Sequence, residues 1–158
     1  MKTPFLALLF LTWCIPSFLL AQSDASEKTT AFGLHVSNIS GTGLSMRNHI
    51  SGKTSFQFTG GIISINGETK WSIGSDLLYR IARMPDMDIT IGPATGIGGG
   101  SSKESGVSFG FGIGADYRSP SDVTSNYMIA TARLYYPAVY SGSGDVSIGG
   151  GLSFMVAF

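Results

Sequence analysis

The chain has 158 residues with ten basic and ten acidic side chains, so its formal net charge is zero and gives no reason to expect a nucleic-acid partner. Only 13% of the residues are charged, against ~25% in a typical soluble domain. With so few charged residues, the surface of a soluble protein would be poorly solvated, whereas a surface that faces lipid needs no charge. The length suffices for a single domain.

Residues 1–21 are predicted to be a secretory signal peptide. Lys2 precedes the apolar run from Phe5 to Leu20, and Ala21 offers a small residue for cleavage. The run is shorter than the ~20 apolar residues that a spanning helix needs. Lipidation of Cys14 is disfavoured because bulky Trp13 precedes it. Since Cys14 is the only cysteine, the mature chain is expected to have no disulfide and no cysteine ligand.

After a polar tail at residues 22–29, alternation of apolar and polar residues predicts β-strands. In segment 107–118, apolar residues at odd positions alternate with serine, glycine, aspartate and arginine, and a period of two is that of a strand. Eight such strands are predicted at 30–37, 42–50, 54–65, 69–82, 87–99, 105–118, 126–140 and 145–158. The segments between them are rich in Gly, Pro, Asn, Asp and Ser, which favour turns. Residues 30–158 are therefore predicted to be all-β, an eight-stranded antiparallel up-and-down transmembrane β-barrel.

The ionisable residues indicate that the apolar face points outward. Every lysine and glutamate after residue 21 falls in the tail, a turn or a strand end. Five charged residues lie well inside predicted strands, opposite the more apolar face: Arg47, Asp76, Arg80, Asp116 and Arg133. A charge facing lipid near the midplane costs ~2–4 kcal/mol. We therefore predict that these residues line the lumen and pair there as a network, because an isolated charge in a narrow lumen is poorly solvated.

Aromatic residues near the strand ends predict two girdles at the membrane interfaces. With both termini in the periplasm, the external set would be Trp71, Tyr136 and Tyr140, and the periplasmic set would be Phe32, Tyr79, Tyr117 and Phe158. Aromatic residues at strand ends also occur in other β proteins. The girdles are therefore weaker evidence for a membrane barrel than the distribution of charged residues is.

Three segments carry a resemblance to known proteins: Leu19–Gln22, Gly41–Arg47 and the final strand Gly151–Phe158. They resemble the small eight-stranded outer-membrane barrels of Gram-negative bacteria, especially the Bacteroidetes-type barrel family. In that family a final strand that alternates and ends on an aromatic residue is read by the outer-membrane assembly machinery. The resemblance implies insertion into the outer membrane, with lipid and that machinery as partners, and we expect a monomer.

One short element could carry chemistry. His35-Val36-Ser37-Asn38 looks like the His-x-Ser-Asn element of the outer-membrane lipid A deacylases, in which histidine acts as a base toward serine. That family carries the element near its C-terminal end, no glutamate lies at a suitable distance here, and the alternation turns His35 and Ser37 inward, away from lipid. We expect both residues to line the lumen as polar residues.

No cofactor or metal site is predicted. His49 lacks a second ligand at metal spacing, and the glycine-rich run 96–100 lacks the Lys-Ser/Thr of a phosphate loop. Asp86 and Asp88 flank a turn and are too few for calcium.

The sequence is compatible with three functions: a structural barrel that supports membrane integrity, a narrow pore for small solutes, and a membrane hydrolase using His35 and Ser37. The interior of an eight-stranded barrel is only wide enough for side chains to fill, which argues against free diffusion. The short external turns argue against an adhesin. The structural role is therefore favoured.

Overall fold

The computed structural model describes residues 30–65, 67–101, 103–119, 126–141 and 146–158. The predicted signal peptide and tail lie outside these residues. The strands are β1 (Thr30–Ser37), β2 (Thr42–Ser51), β3 (Thr54–Ile65), β4 (Glu68–Arg83), β5 (Met87–Gly100), β6 (Lys103–Arg118), β7 (Tyr127–Tyr140) and β8 (Val146–Ala157). All eight predicted strands are confirmed. In the described part of the chain, no helix has both the length and the apolar character needed to cross a membrane.

The strands form one closed barrel, which confirms the predicted fold class. Each strand pairs antiparallel with its neighbours in the chain, and β1 pairs with β8. Closure leaves no unpaired sheet edge along the body of the barrel. We call the end that holds the start of β1 and the end of β8 the terminal rim, and the end that holds the β1–β2 and β3–β4 connections the distal rim.

The two faces of the wall differ sharply in polarity, as the alternation predicts. Large apolar side chains point outward; Leu34, Leu134 and Leu152 are 62%, 63% and 65% exposed. Charged residues such as Arg47 and Asp76 are buried inside the barrel. The polarity of the two surfaces is therefore the reverse of that of a water-soluble barrel.

A bulge in β7 changes the alternation near the distal rim. The pairing with β8 shifts between Tyr135 and Ala138, so that Tyr136 and Pro137 are both exposed. Beyond the bulge, Tyr140 faces inward with Ser108, its partner on β6, and packs against the apolar cluster around Tyr135. The expectation that Tyr140 belongs to the external girdle is therefore corrected, because the extra residue inverts the phase of the strand.

Candidate functional site

The lumen of the barrel contains two buried ion pairs. The first joins β2 to β6. Nη1 of Arg47 lies 3.0 Å from Oδ2 of Asp116. Gln57 accepts hydrogen bonds from Nε and Nη2 of Arg47 at 3.0 and 2.7 Å. Thr131 accepts from Arg47 at 3.0 Å and donates to Asp116 at 2.7 Å. Both charges are thus paired and also hydrogen-bonded to neutral neighbours, which is the condition for burying them.

A second ion pair joins β7 to β4. Nη1 of Arg133 lies 3.2 Å from Oδ1 of Asp76, and both side chains are 1% exposed. The Tyr135 hydroxyl donates to the same carboxylate oxygen at 2.7 Å, and Arg133 Nη2 donates to Thr90 at 3.1 Å. A Cβ added to Gly114 would lie 2.7 Å from Cγ of Arg133, so the glycine makes room for the arginine.

Arg80, the fifth residue of the predicted network, forms an ion pair with an aspartate outside that network. It lies near the terminal rim, where its Nη1 is 3.2 Å from Oδ2 of Asp88. Arg83 and Arg118 also form ion pairs with Asp88, which is buried. Asp88 is not among the residues predicted to line the lumen, because it lies next to a predicted turn. Its alternation with the outward Ile89 would have placed it inside the barrel.

The β1–β2 connection, residues 38–41, folds into the lumen at the distal rim, and we call it the inner turn. Ile39 and Ser40 are 1% and 0% exposed. Ile39 packs in a cluster with Ala94, Tyr135 and Ala138. Its carbonyl accepts a hydrogen bond of 2.6 Å from Ser108. The inner turn therefore occupies the distal part of the lumen, a feature that its turn-forming residues did not predict.

Glycines in the wall leave the space that the inner turn occupies. A Cβ added to Gly96 would lie 2.1 Å from the carbonyl oxygen of Ile39, and one added to Gly74 would lie 2.4 Å from that of Ser40. Both contacts are shorter than any van der Waals contact and involve the backbone. Side chains at these two positions would exclude the turn from the lumen.

We expect Gly96→Ala to lower the free energy of unfolding by about 1–3 kcal/mol, the usual cost of overpacking a filled interior. Urea unfolding of the barrel in lipid vesicles measures the change. Gly52→Ala is the matched control, since a Cβ at Gly52 meets no atom within 4 Å. Equal stability of the two variants would show that the inner turn does not press against the wall.

His35 and Ser37 support the inner turn. Nε2 of His35 lies 2.9 Å from Oγ of Ser40, and Oγ of Ser37 accepts hydrogen bonds from the backbone N–H groups of Ile39 and Ser40 at 3.0 and 3.2 Å. No hydrogen bond joins His35 to Ser37 in the described part of the barrel, and both side chains are buried in the lumen. The base–nucleophile contact of the hydrolase hypothesis is not formed.

The second histidine has a neutral partner. Nδ1 of His49 lies 2.6 Å from Oγ of Ser55. Within the described ranges, no group of three or more His, Cys, Asp or Glu side chains is placed to hold a metal ion.

Six of the seven predicted interface aromatics are exposed on the outside of the barrel. Near the terminal rim these are Phe32, Tyr79, Tyr117 and Phe158, and toward the distal rim they are Trp71 and Tyr136. The Phe32 and Phe158 rings are tilted at 57° with centroids 6.3 Å apart. The aromatic residues thus occur in two separate zones, one toward each rim.

The solved structures that are similar to this chain include a designed barrel and a bacterial protein. One, described as "De novo design of transmembrane beta-barrels", has a TM-score of 0.43 and 13% identity and covers 85% of this chain and 98% of its own. The other is the crystal structure of Ail, the attachment invasion locus protein of Yersinia pestis, with a TM-score of 0.42, 12% identity and coverage of 82% and 95%. No family model and no curated protein matches the chain.

Proposed function

We propose that this chain is an integral outer-membrane β-barrel, exported by its signal peptide, with a closed lumen, a structural role in membrane integrity and no enzymatic site. The observation that carries the proposal is the reversed polarity of the wall. Large apolar side chains are exposed on the outside, while two arginine–aspartate pairs are buried inside.

The outer surface fits lipid better than water. Outward-facing apolar side chains occur on every strand, and a continuous apolar band of this kind would cause a water-soluble monomer to aggregate. In a bilayer the same band is solvated by acyl chains. Since each strand pairs with both of its neighbours around the closed barrel, the backbone groups of these ladders bond within the wall and need no water in the apolar region.

The ends of the barrel support the same assignment. The two zones of aromatic side chains match the interface girdles of membrane barrels. Charges on the outside lie beyond them, as in the exposed pair of Lys70 and Glu68 near the distal rim. In this proposal the terminal rim faces the periplasm, and β8 together with the aromatic Phe158 beside it provides the signal for the assembly machinery.

The closed lumen favours the structural role over a pore. The inner turn fills the distal end, and below it two ion pairs cross the interior. The hydrogen bonds of His35 and Ser37 to the inner turn likewise favour a structural role for the element that resembles the deacylase motif.

Two measurements test the proposal. The folded protein should remain in the outer-membrane fraction and migrate on a gel differently before and after heating. Ile113→Arg, which places a charge on the outer face of β6, should lower the free energy of unfolding by ~2–4 kcal/mol in lipid. Gly52→Arg, in the β2–β3 turn, should lower it much less. A soluble periplasmic protein, or equal losses in the two variants, would contradict insertion.

A further inference from the structure

Four buried polar atoms in the lumen have no hydrogen-bond partner in the described part of the protein: His35 Nδ1, Ser153 Oγ, Asp76 Oδ2 and Arg133 Nε. Leaving a buried polar group unsatisfied costs about 1–3 kcal/mol. Native proteins satisfy such groups with ordered water where the protein itself offers no partner. The four atoms therefore mark a place where the lumen needs a small polar molecule.

His35 and Ser153 lie directly opposite each other on β1 and β8, and both side chains point inward and are buried. The Cβ atoms of such a pair are about 4.5–5.5 Å apart, yet Nδ1 and Oγ do not bond to each other. The contact of His35 with Ser40 holds the other side of the imidazole ring.

The second pair of atoms belongs to the Arg133–Asp76 ion pair. Oδ1 of Asp76 accepts hydrogen bonds from both Arg133 Nη1 and the Tyr135 hydroxyl, while Oδ2 accepts none. Arg133 uses its two Nη atoms on Asp76 and Thr90, so Nε has none. Arg133 pairs across the wall with Gly151, two residues before Ser153, which places the two sets of atoms on neighbouring parts of the wall.

We propose that the lumen between the inner turn and the Arg47–Asp116 pair is an internal water-binding site. One water bridges His35 Nδ1 and Ser153 Oγ, and separate waters bind Asp76 Oδ2 and Arg133 Nε. The ligand is neutral because each arginine here already has an aspartate partner. Water both donates and accepts, so it satisfies His35 in either tautomer. This inference goes beyond the proposed function and does not depend on it.

Histidine-selective ¹⁵N labelling tests the site cleanly, since the chain contains only two histidines. In refolded protein, we expect magnetisation transfer between water and the His35 ring, with an Nδ1 chemical shift typical of a hydrogen-bonded nitrogen. His49, whose Nδ1 is held by Ser55, is the internal reference. Arginine labelling should show the same transfer at Nε of Arg133.

Ser153→Ala removes one partner of the first water and should reduce the His35–water signal at least twofold, while the His49 resonance stays in place. Ser147→Ala is the control on the same strand, because the Ser147 hydroxyl bonds to the Ala138 carbonyl instead. A native barrel in which the His35 ring shows no transfer from water would overturn the proposal. An equal response to the two variants would also overturn it, and if Ser153→Ala does not fold, the native spectrum alone decides.

Discussion

Asp76→Asn is expected to lower the free energy of unfolding by about 3–5 kcal/mol, because it leaves the buried Arg133 guanidinium without its counter-charge. The asparagine keeps the shape of the carboxylate and can still accept from Tyr135, so the loss reports mainly the charge. Both partners are almost completely buried, and Arg133 has no other acidic partner among the described residues. Urea unfolding in lipid vesicles measures the effect.

An exposed ion pair provides the matched control. Nζ of Lys70 lies 3.8 Å from Oε2 of Glu68, and more than half of each side chain is exposed. Glu68→Gln should therefore change the free energy of unfolding by only ~0–1 kcal/mol. Replacing both members of the buried pair, as Asp76→Leu with Arg133→Met, should cost less than Asp76→Asn alone, because no unpaired charge remains. Equal losses for Asp76→Asn and Glu68→Gln would show that the lumen pair is not buried in the folded protein.

The features that sequence predicts well here are those encoded by local alternation. Each strand shows its period within a dozen residues, and the same parity places residues such as Arg47 and Asp116 inside. The structure joins these two across the lumen. Pairing partners depend on the register of distant strands, and for that reason the alternation does not reveal Asp88 as a partner of Arg80.

The inner turn could not be predicted from its own residues. Asn38 and Gly41 indicate a turn but not the direction in which it bends. That direction depends on space left by glycines far away in the chain, such as Gly74 and Gly96. The one local signal was Ile39, a large apolar side chain in a turn that would otherwise face water. Similarly, the phase change that turns Tyr140 inward follows from a bulge, for which a proline within a strand is the sequence sign.

Conductance measurements test whether these interior features close the barrel. We expect the native protein to show no current steps in planar bilayers at high salt, because the interior of an eight-stranded barrel is narrow and is crossed here by three separate features. These are the inner turn and the two ion pairs. Ile39→Asp places a charge in the apolar cluster and should release the turn into water. Alone it should remain silent, since both ion pairs still block the lumen.

A variant in which both ion pairs are replaced by serines, at positions 47, 76, 116 and 133, should also remain silent, because the inner turn still fills the distal end. Combining these four substitutions with Ile39→Asp should produce discrete current steps, since small polar side chains then leave a continuous wet path. Heat-modifiable migration shows which variants are folded. Steps from the native barrel would contradict the closed lumen. A folded combined variant without current would mean that other side chains form the barrier.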